Sequence, residues 1–305
     1  MRKLGFTMIE LVFVIVVMGI IGKFGVEFLA QAYKGFIFSN VNHNLQANGK
    51  MAVETIATRL QYRIKDSIIA RKSSDDSFKA LASASGTDYN ILEWISTDID
   101  NYRGLYKSDT NLSLPNWSGI IDLDDSNASS LTSPATETNT TDALIDILSD
   151  GDSGIENAAI YFIGSNTDIN KYGWDIPSTG AFSDQNQTMH PITSGGAITQ
   201  LIPDTGVNDF SGVDVYEYYQ LAWTAYAVGI SDYNTTSKTG TLMLYYDYQP
   251  WEGENYKSNT TKSAVLMENV STFQFKSIGS IVKIQVCVNS ELVEDYSLCK
   301  EKTVF

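Results

Sequence analysis

An apolar stretch close to the amino terminus, residues 5–22, most constrains what this chain of 305 residues can fold into. Arg2 and Lys3 precede the stretch, and Glu10 is the only charged residue within it. A carboxylate is costly inside a membrane, and such residues usually face a protein partner and mark function. We therefore expect Glu10 to lie against another protein.

The order of features in this segment is specific: a short basic leader, the Gly5-Phe6 junction, Glu10 and then an apolar helix. In this order the chain resembles the type IV prepilins and the pseudopilins of type II secretion systems. The resemblance implies that a prepilin peptidase cleaves between Gly5 and Phe6 and that Phe6 is then N-methylated. It also implies that Glu10 attracts the amino terminus of a neighbouring subunit during fibre assembly.

The same resemblance predicts the partners and the location of the protein. The partners are other pilins or pseudopilins, bound through the amino-terminal helix, together with the prepilin peptidase and the inner-membrane assembly platform. Arg2 and Lys3 favour a cytoplasmic amino terminus. We therefore expect a leader at residues 1–5 and a single pass through the bacterial inner membrane at about residues 6–28. The body would be periplasmic and would later belong to a periplasmic or surface fibre.

Two other interpretations of the apolar stretch compete with this one. A secretory signal would use Ala30-Gln31-Ala32 as its cleavage site, but Glu10 interrupts the apolar run that such a signal requires. A plain membrane anchor over residues 6–22 is at the short end of the roughly 17 to 25 residues that span a bilayer. Neither interpretation explains Gly5, Phe6 and Glu10 together.

The remaining sequence predicts an α+β fold, with a long helix at residues 6–72 and a β-rich body at residues 73–305. Apolar residues recur at helical spacing after Gly22, so the second half of the helix should pack on a mostly antiparallel sheet. Candidate strands are residues 91–95, 120–123, 159–163, 197–202, 218–228, 241–248, 264–267, 272–276 and 282–288. The strands at 218–228 and 241–248 should form a hairpin. Residues 122–142 and 164–187 are predicted to be exposed loops.

Charge is divided unevenly along the chain. Residues 1–72 carry ten Lys or Arg against four Asp or Glu, net +6, whereas residues 73–305 carry eleven against thirty-two, net −21. An acidic body repels phosphate groups, so nucleic acid is not an expected partner. The same acidity is also what solubility alone would favour.

The only two cysteines, Cys287 and Cys299, lie close together near the carboxyl end. In an exported body we expect them to form one disulfide, which would close a short loop. The chain contains no P-loop and no G-x-S-x-G motif, and its two histidines have no recognisable nucleophile beside them, so an enzyme is not expected.

Calcium is the one ligand for which the acidic loops offer candidates, although no cofactor is required. Asp146, Asp150, Asp152 and Glu156 lie close in sequence and are accompanied by turn glycines. Their order does not follow the EF-hand pattern, which needs ligands at alternate positions and a glycine at the sixth. A solvated acidic loop explains the same residues.

Five asparagines lie in the longer pattern D/E-x-N-x-S/T, which resembles the acceptor sequence of bacterial oligosaccharyltransferases. They are Asn111, Asn127, Asn139, Asn186 and Asn234. We expect all five to lie in exposed loops, where a bulky glycan does not disturb a core. A chain rich in Asp, Asn, Ser and Thr also produces such strings by chance.

The sequence therefore predicts a non-enzymatic minor pilin or pseudopilin. The large body favours a minor subunit, because repeating it along a whole filament would crowd the fibre. Two alternatives stay open. One is an adhesin displayed on a pilus, with its ligand surface in the loops between residues 73 and 212, and the other is an exported hydrolase anchored by the pilin-like segment. The sequence does not choose between a secretion system and a pilus.

Overall fold

The computed structural model describes residues 7–107, 112–165, 167–175, 180–204, 207–290, 292–293 and 296–305. It begins with one long helix, α1, Met8–Leu60. Residues 8–40 of α1 are exposed or half-buried, and buried residues begin at Val41. The amino-terminal part of α1 therefore projects from the rest of the fold.

The predicted end of this helix, at residue 72, is wrong, because α1 ends at Leu60. The Arg63 side chain donates hydrogen bonds to the carbonyl oxygens of Leu60 and Ser280, at 2.9 and 2.7 Å. Ile64 N–H donates to the carbonyl of Ile95 at 2.9 Å. These contacts bind the chain to a sheet immediately after the helix, and residues 69–71 then form a strand.

Within the described ranges, two further α-helices and sixteen strands follow α1. The helices are α2, Ile99–Arg103, and α3, Thr138–Leu148. The strands are β1, Ile69–Arg71; β2, Phe78–Ala80; β3, Ile91–Ser96; β4, Leu105–Lys107; β5, Leu112–Leu114; β6, Asp122–Asn127; β7, Ser130–Thr132; β8, Ala159–Phe162; β9, His190–Ser194; β10, Gln200–Pro203; β11, Tyr219–Ala222; β12, Thr224–Asn234; β13, Thr239–Tyr246; β14, Lys262–Ile278; β15, Ile281–Asn289; and β16, Ser297–Val304.

Eight strands form the larger sheet, in the order β16-β15-β14-β13-β12-β3-β1-β2. Every neighbouring pair in it is antiparallel. The predicted hairpin is confirmed as β12 and β13, whereas the two strands predicted at 264–267 and 272–276 are one strand, β14. A register shift between Val270 and Thr272 bends this strand without ending it. The edge strand β16 was not predicted.

The smaller sheet has six antiparallel strands in the order β11-β8-β9-β10-β7-β6. The predicted loop at residues 122–142 is wrong in part, because it holds β6, β7 and the first turn of α3. The strand predicted at 218–228 divides at Trp223, where the chain passes from one sheet to the other. β11 pairs with β8, whereas β12 pairs with β3.

Three apolar clusters hold these layers together. The first lies between α1 and the larger sheet and includes Ile56 and Leu60. The second lies between the two sheets, around Trp174 and Trp251. The third lies on the far face of the smaller sheet, where Ile145 of α3 packs. The predicted α+β class is confirmed: a long apolar helix packs by its second half on a large antiparallel sheet.

Candidate assembly surface

The projecting part of α1, residues 8–40, exposes a long run of large apolar side chains and is called the protruding half below. An 18-residue window within α1 has a mean hydropathy of 2.3, and none of that window is buried. The helix is therefore long and apolar enough to cross a membrane. The exposed large apolar side chains of the protruding half are Met8, Ile9, Leu11, Val12, Phe13, Val14, Ile15, Val16, Met18, Ile20, Ile21, Phe24, Val26, Phe28, Leu29, Tyr33, Phe36 and Phe38.

Glu10 lies in the first turn of this surface and takes part in the N-terminal cap of the helix. Thr7 is the N-cap residue, and its Oγ1 accepts a hydrogen bond from Glu10 N–H at 3.4 Å. In return, Glu10 Oε2 accepts from Thr7 N–H at 3.0 Å and from Thr7 Oγ1 at 2.9 Å. This reciprocal capping box fixes the start of the helix and places a negative charge at its positive end.

The two hydrogen bonds that the Glu10 carboxylate accepts from Thr7 both use the same oxygen, Oε2. Among the residues that the structure describes, Glu10 Oε1 has no hydrogen-bond partner. A cationic group can therefore approach Oε1 while the cap stays intact. The other two predicted residues of the motif, Gly5 and Phe6, lie outside the described residues.

A second charged pair lies further along the protruding half. Lys23 Nζ and Glu27 Oε1 are 4.0 Å apart, one helical turn from each other, and their side chains are 75% and 57% exposed. Because both side chains are largely exposed, this pair contributes little to the stability of the body. The apolar surface continues past it to Phe38.

The protruding half ends at a contact with the carboxyl-terminal strands. The Phe38 and Tyr296 rings are 4.9 Å apart, and the Tyr296 hydroxyl donates to Asn42 Oδ1 at 2.8 Å. Tyr296 lies within the loop that the disulfide closes. The predicted bond between Cys287 and Cys299 is confirmed, and the two residues are register partners on β15 and β16.

From Val41 onwards α1 lies on the larger sheet, and Val41–Leu60 is called the packed half. Helix and edge strand approach closely at Gly49, where a Cβ atom would be 3.3 Å from Lys300 Cγ. Polar contacts lie beside the buried apolar residues of the packed half. Lys302 Nζ donates to both carboxylate oxygens of Glu54, at 2.9 and 3.0 Å. Arg59 donates to the Tyr226 hydroxyl at 2.8 Å. The packed half is thus fixed to the body on several sides.

A buried ion pair lies within the body. Arg71 on β1 donates through Nε to Glu93 Oε1 on β3, and the two side chains are 3% and 0% exposed. Tyr248 donates to the other carboxylate oxygen of Glu93 at 3.1 Å. Burial raises the pKa of the Glu93 carboxyl, while the Arg71 guanidinium acts in the opposite direction. No local sequence pattern indicates this pair, because its members meet only when β1 pairs with β3.

Two other buried titratable groups bear on the question of catalysis. Asp98 caps α2 by accepting from Asn101 N–H at 3.2 Å, and burial raises the pKa of its carboxyl to about 6. It borders a groove of about 460 Å³ that also reaches Arg59 and Tyr226. His190 lies between the Phe162 and Phe210 rings, and burial lowers its pKa to about 4. Asp98 therefore acts as a helix cap and His190 as a core residue.

The calcium candidates do not converge on one point. Asp146, Asp150 and Glu156 are exposed, and Asp152 pairs with Lys262 at 2.9 Å. Lys262 also lies 3.0 Å from the buried carboxylate of Asp247. Among the described residues, no group of three or more His, Cys, Asp or Glu side chains could hold a metal ion. Calcium stays a prediction of the sequence without a geometric site.

Four of the five asparagine candidates are described, and all four side chains are exposed. Asn186 lies in the irregular segment between β8 and β9, whereas Asn127 is the last residue of β6 and Asn234 the last residue of β12, so these two lie at strand ends and not within loops. The prediction that Asn139 lies in a loop is wrong, because this residue lies in the first turn of α3. Asn111 lies outside the described residues.

Comparison of the chain with protein-family models, with curated proteins and with solved structures gave no match. The amino-terminal motif and the geometry of α1 are therefore the features that bear on function.

Proposed function

We propose that this protein is a non-enzymatic minor pilin or pseudopilin subunit. The observation that carries the proposal is the protruding half of α1, an unburied apolar helix whose first turn holds Glu10. A helix that is apolar on all sides needs lipid or other helices around it. The proposed subunit meets both needs in turn, first in the inner membrane and later in a fibre. It requires no bound cofactor.

The proposal assigns each part of the chain a step in assembly. A prepilin peptidase removes residues 1–5, and the mature protein begins at methylated Phe6. The amino terminus faces the cytoplasm, and the acidic body is periplasmic. At the inner-membrane assembly platform, Glu10 of the incoming subunit binds the amino group of a neighbouring subunit. The free Oε1 of Glu10 supports this step, because the capping box does not have to open.

Processing gives the first test. Mass spectrometry of the membrane-extracted protein from cells that contain a prepilin peptidase should show a mature chain that begins at methylated Phe6. A mature terminus after Ala32 would contradict the proposal, because the apolar helix would then have been a removable signal.

Assembly gives the second test. Glu10→Gln keeps an oxygen that can accept from Thr7 but removes the charge, so the chain should insert in the membrane normally and enter sheared fibres much less than the parent. Glu27→Gln is the matched control, because it removes a carboxylate from the same helix outside the motif. Equal entry of the parent and Glu10→Gln into fibres would contradict the assigned role.

A further inference from the structure

We propose that Asn127 and Asn234 are acceptor sites for an N-linked oligosaccharide. The donor is an oligosaccharide linked to a polyprenyl diphosphate. Asn Nδ2 forms a bond to the anomeric carbon of the sugar and loses one proton to solvent, while the bond from that carbon to the diphosphate oxygen breaks and the polyprenyl diphosphate leaves with the electron pair of that bond. In the cell this modification rests on the proposed function, because it requires that the body of the protein is exported to the periplasm.

Such a transferase must reach three side chains at once: the acidic residue two positions before Asn, the Asn itself, and the Ser or Thr two positions after it. At the β6–β7 turn these are Asp125, Asn127 and Ser129, and all three are exposed. At the β12–β13 turn they are Asp232, Asn234 and Thr236, and again all three are exposed.

The main chain at both sites is already turned back on itself at the asparagine. Asn127 Oδ1 accepts from the N–H of Ser129 at 2.9 Å and of Ser130 at 3.1 Å. Asn234 Oδ1 accepts from the N–H of Thr236 at 2.8 Å and of Ser237 at 3.3 Å. Neither Nδ2 group forms a hydrogen bond within the part of the chain that the structure describes. The nucleophile is therefore accessible at two hairpin turns.

The other two described candidates lack this arrangement, although their asparagines are exposed. Thr141, which belongs to the Asn139 sequence, is fully buried, and its hydroxyl donates to the carbonyls of Asn116 and Glu137 at 3.2 and 3.1 Å. Thr188, two residues after Asn186, is 4% exposed and its hydroxyl donates to Asp168 O at 3.3 Å. An enzyme cannot read either hydroxyl while the protein is folded.

The test uses the folded full-length chain in detergent. All variants carry Asn111→Gln, so that the remaining candidates are Asn127, Asn139, Asn186 and Asn234. The chain is incubated with a purified oligosaccharyltransferase that reads D/E-x-N-x-S/T and with undecaprenyl-diphosphate-linked oligosaccharide, and its intact mass is measured. We expect two glycans on each chain. Asn127→Gln or Asn234→Gln should each leave one glycan, the double variant none, and the control Asn139→Gln two.

Two further measurements isolate the cause. Asp232→Asn keeps a residue that tolerates the positive φ of 51° at this position and should reduce the count to one glycan. Free peptides of residues 135–143 and 182–190 should be modified, because Thr141 and Thr188 are accessible in them. Unmodified peptides would contradict the role of threonine burial. A folded chain that carries no glycan at Asn127 and Asn234, or as much glycan at Asn139 and Asn186, would overturn the proposal. Because the reaction takes place in vitro, its result does not depend on export or fibre assembly.

Discussion

The two halves of α1 are parts of one continuous helix, yet they have opposite surroundings. The packed half buries a stripe that includes Val53, Ile56 and Leu60 and carries Lys50 and Arg59 outside that stripe. The protruding half carries large apolar residues on every side and buries none of them. Its few charges are Glu10, the Lys23–Glu27 pair and Lys34.

This difference shows what each half needs for stability. A helix with one apolar stripe is satisfied by one neighbouring surface, which the larger sheet supplies. A helix that is apolar all round is stable in water only when other apolar groups surround it, and the described part of the chain leaves the protruding half exposed. The packed half therefore contributes to the stability of the body, whereas under the proposed function the protruding half serves association with lipid or other subunits. The predictions that follow test this division.

The largest expected effect comes from comparing the buried ion pair of the body, on which the packed half lies, with the exposed ion pair of the protruding half. Arg71→Met leaves the Glu93 carboxylate buried without its cation, and we expect the free energy of unfolding of the body to fall by about 3–5 kcal/mol. Lys23→Met, in the exposed pair of the protruding half, should cause no measurable change. Chemical denaturation of the full chain in detergent, followed by tryptophan fluorescence, measures both.

The double variant Arg71→Met/Glu93→Gln serves as the control for lost packing. It removes both charges, so it should recover part of the stability lost in Arg71→Met. An Arg71→Met variant as stable as the parent would contradict the importance of the buried pair.

Core substitutions along α1 should give the next largest effect. Ile56 is fully buried against the larger sheet, so Ile56→Ala should cost about 2–5 kcal/mol. Ile20, on the same helix, is 53% exposed, and Ile20→Ala should leave the unfolding of the body unchanged. The same denaturation experiment applies. A comparable loss in both variants would show that the protruding half also packs on the body.

Sequence reasoning predicted α1 and several strands but not where the helix ends. The three- and four-residue spacing of apolar residues continues through Ile64 and Ile68, which favoured a longer helix. Leu60 and Ile68 belong to the cluster under α1, but Ile64 belongs to the cluster between the two sheets. The spacing of these apolar residues is that of one continuous helix, although Ile64 packs in a different cluster from Leu60 and Ile68. Only tertiary contacts show that the helix ends before Ile64.

Other elements were missed for local reasons. β16 has charges on both of its faces, at Lys300, Glu301 and Lys302, so it lacks the alternation that indicates a strand. Its pairing with β15 determines its structure. α3 begins with Thr138-Asn139-Thr140-Thr141, which favours a loop, yet Thr141 and Ile145 are buried against the smaller sheet.

In the candidate site, too, some contacts could be predicted from the local sequence and others could not. Glu10 was identified from its motif, because one charge in an apolar run is visible in sequence. Its capping contact with Thr7 follows the three-residue spacing of a capping box and could also have been predicted. The contact of Tyr296 with Phe38 joins residues far apart in the chain, and no local pattern indicates it.

A smaller effect is expected from the two histidines, of which His190 is buried in the body and His43 is exposed on the packed half of α1. The buried His190 has its pKa lowered to about 4, whereas in the unfolded chain the pKa is near 6.5. As the pH falls from 7 to 5.5 the unfolded chain therefore binds more protons than the folded one, and the folded state loses about 1 kcal/mol. His190→Gln should abolish this loss, and His43→Gln, on the exposed side of α1, is the matched control.

The measurement is the difference in unfolding free energy between each variant and the parent at pH 7 and 5.5. Each variant is compared with the parent because Asp98 changes the unfolding free energy with pH in the opposite direction, and the comparison cancels its contribution. Its raised pKa means that the folded state keeps a proton that the unfolded state releases, so its contribution falls as the pH rises from about 4 to 6. Parallel pH profiles for the parent and His190→Gln would contradict the assignment.

The smallest expected effect lies at the boundary between the two halves, where Tyr296 joins the end of the protruding half to the disulfide-closed loop. Tyr296→Phe keeps the ring packed on Phe38 but removes the hydrogen bond to Asn42, which costs about 1 kcal/mol. If this contact determines where the helix leaves the body, amide hydrogen exchange at residues 38–42 should accelerate about fivefold while exchange in the packed half stays unchanged. Tyr233→Phe, on the exposed β12–β13 hairpin, is the control for loss of a hydroxyl. Uniform acceleration along α1 would instead show that the two halves open as one unit, and the boundary would then have no separate role.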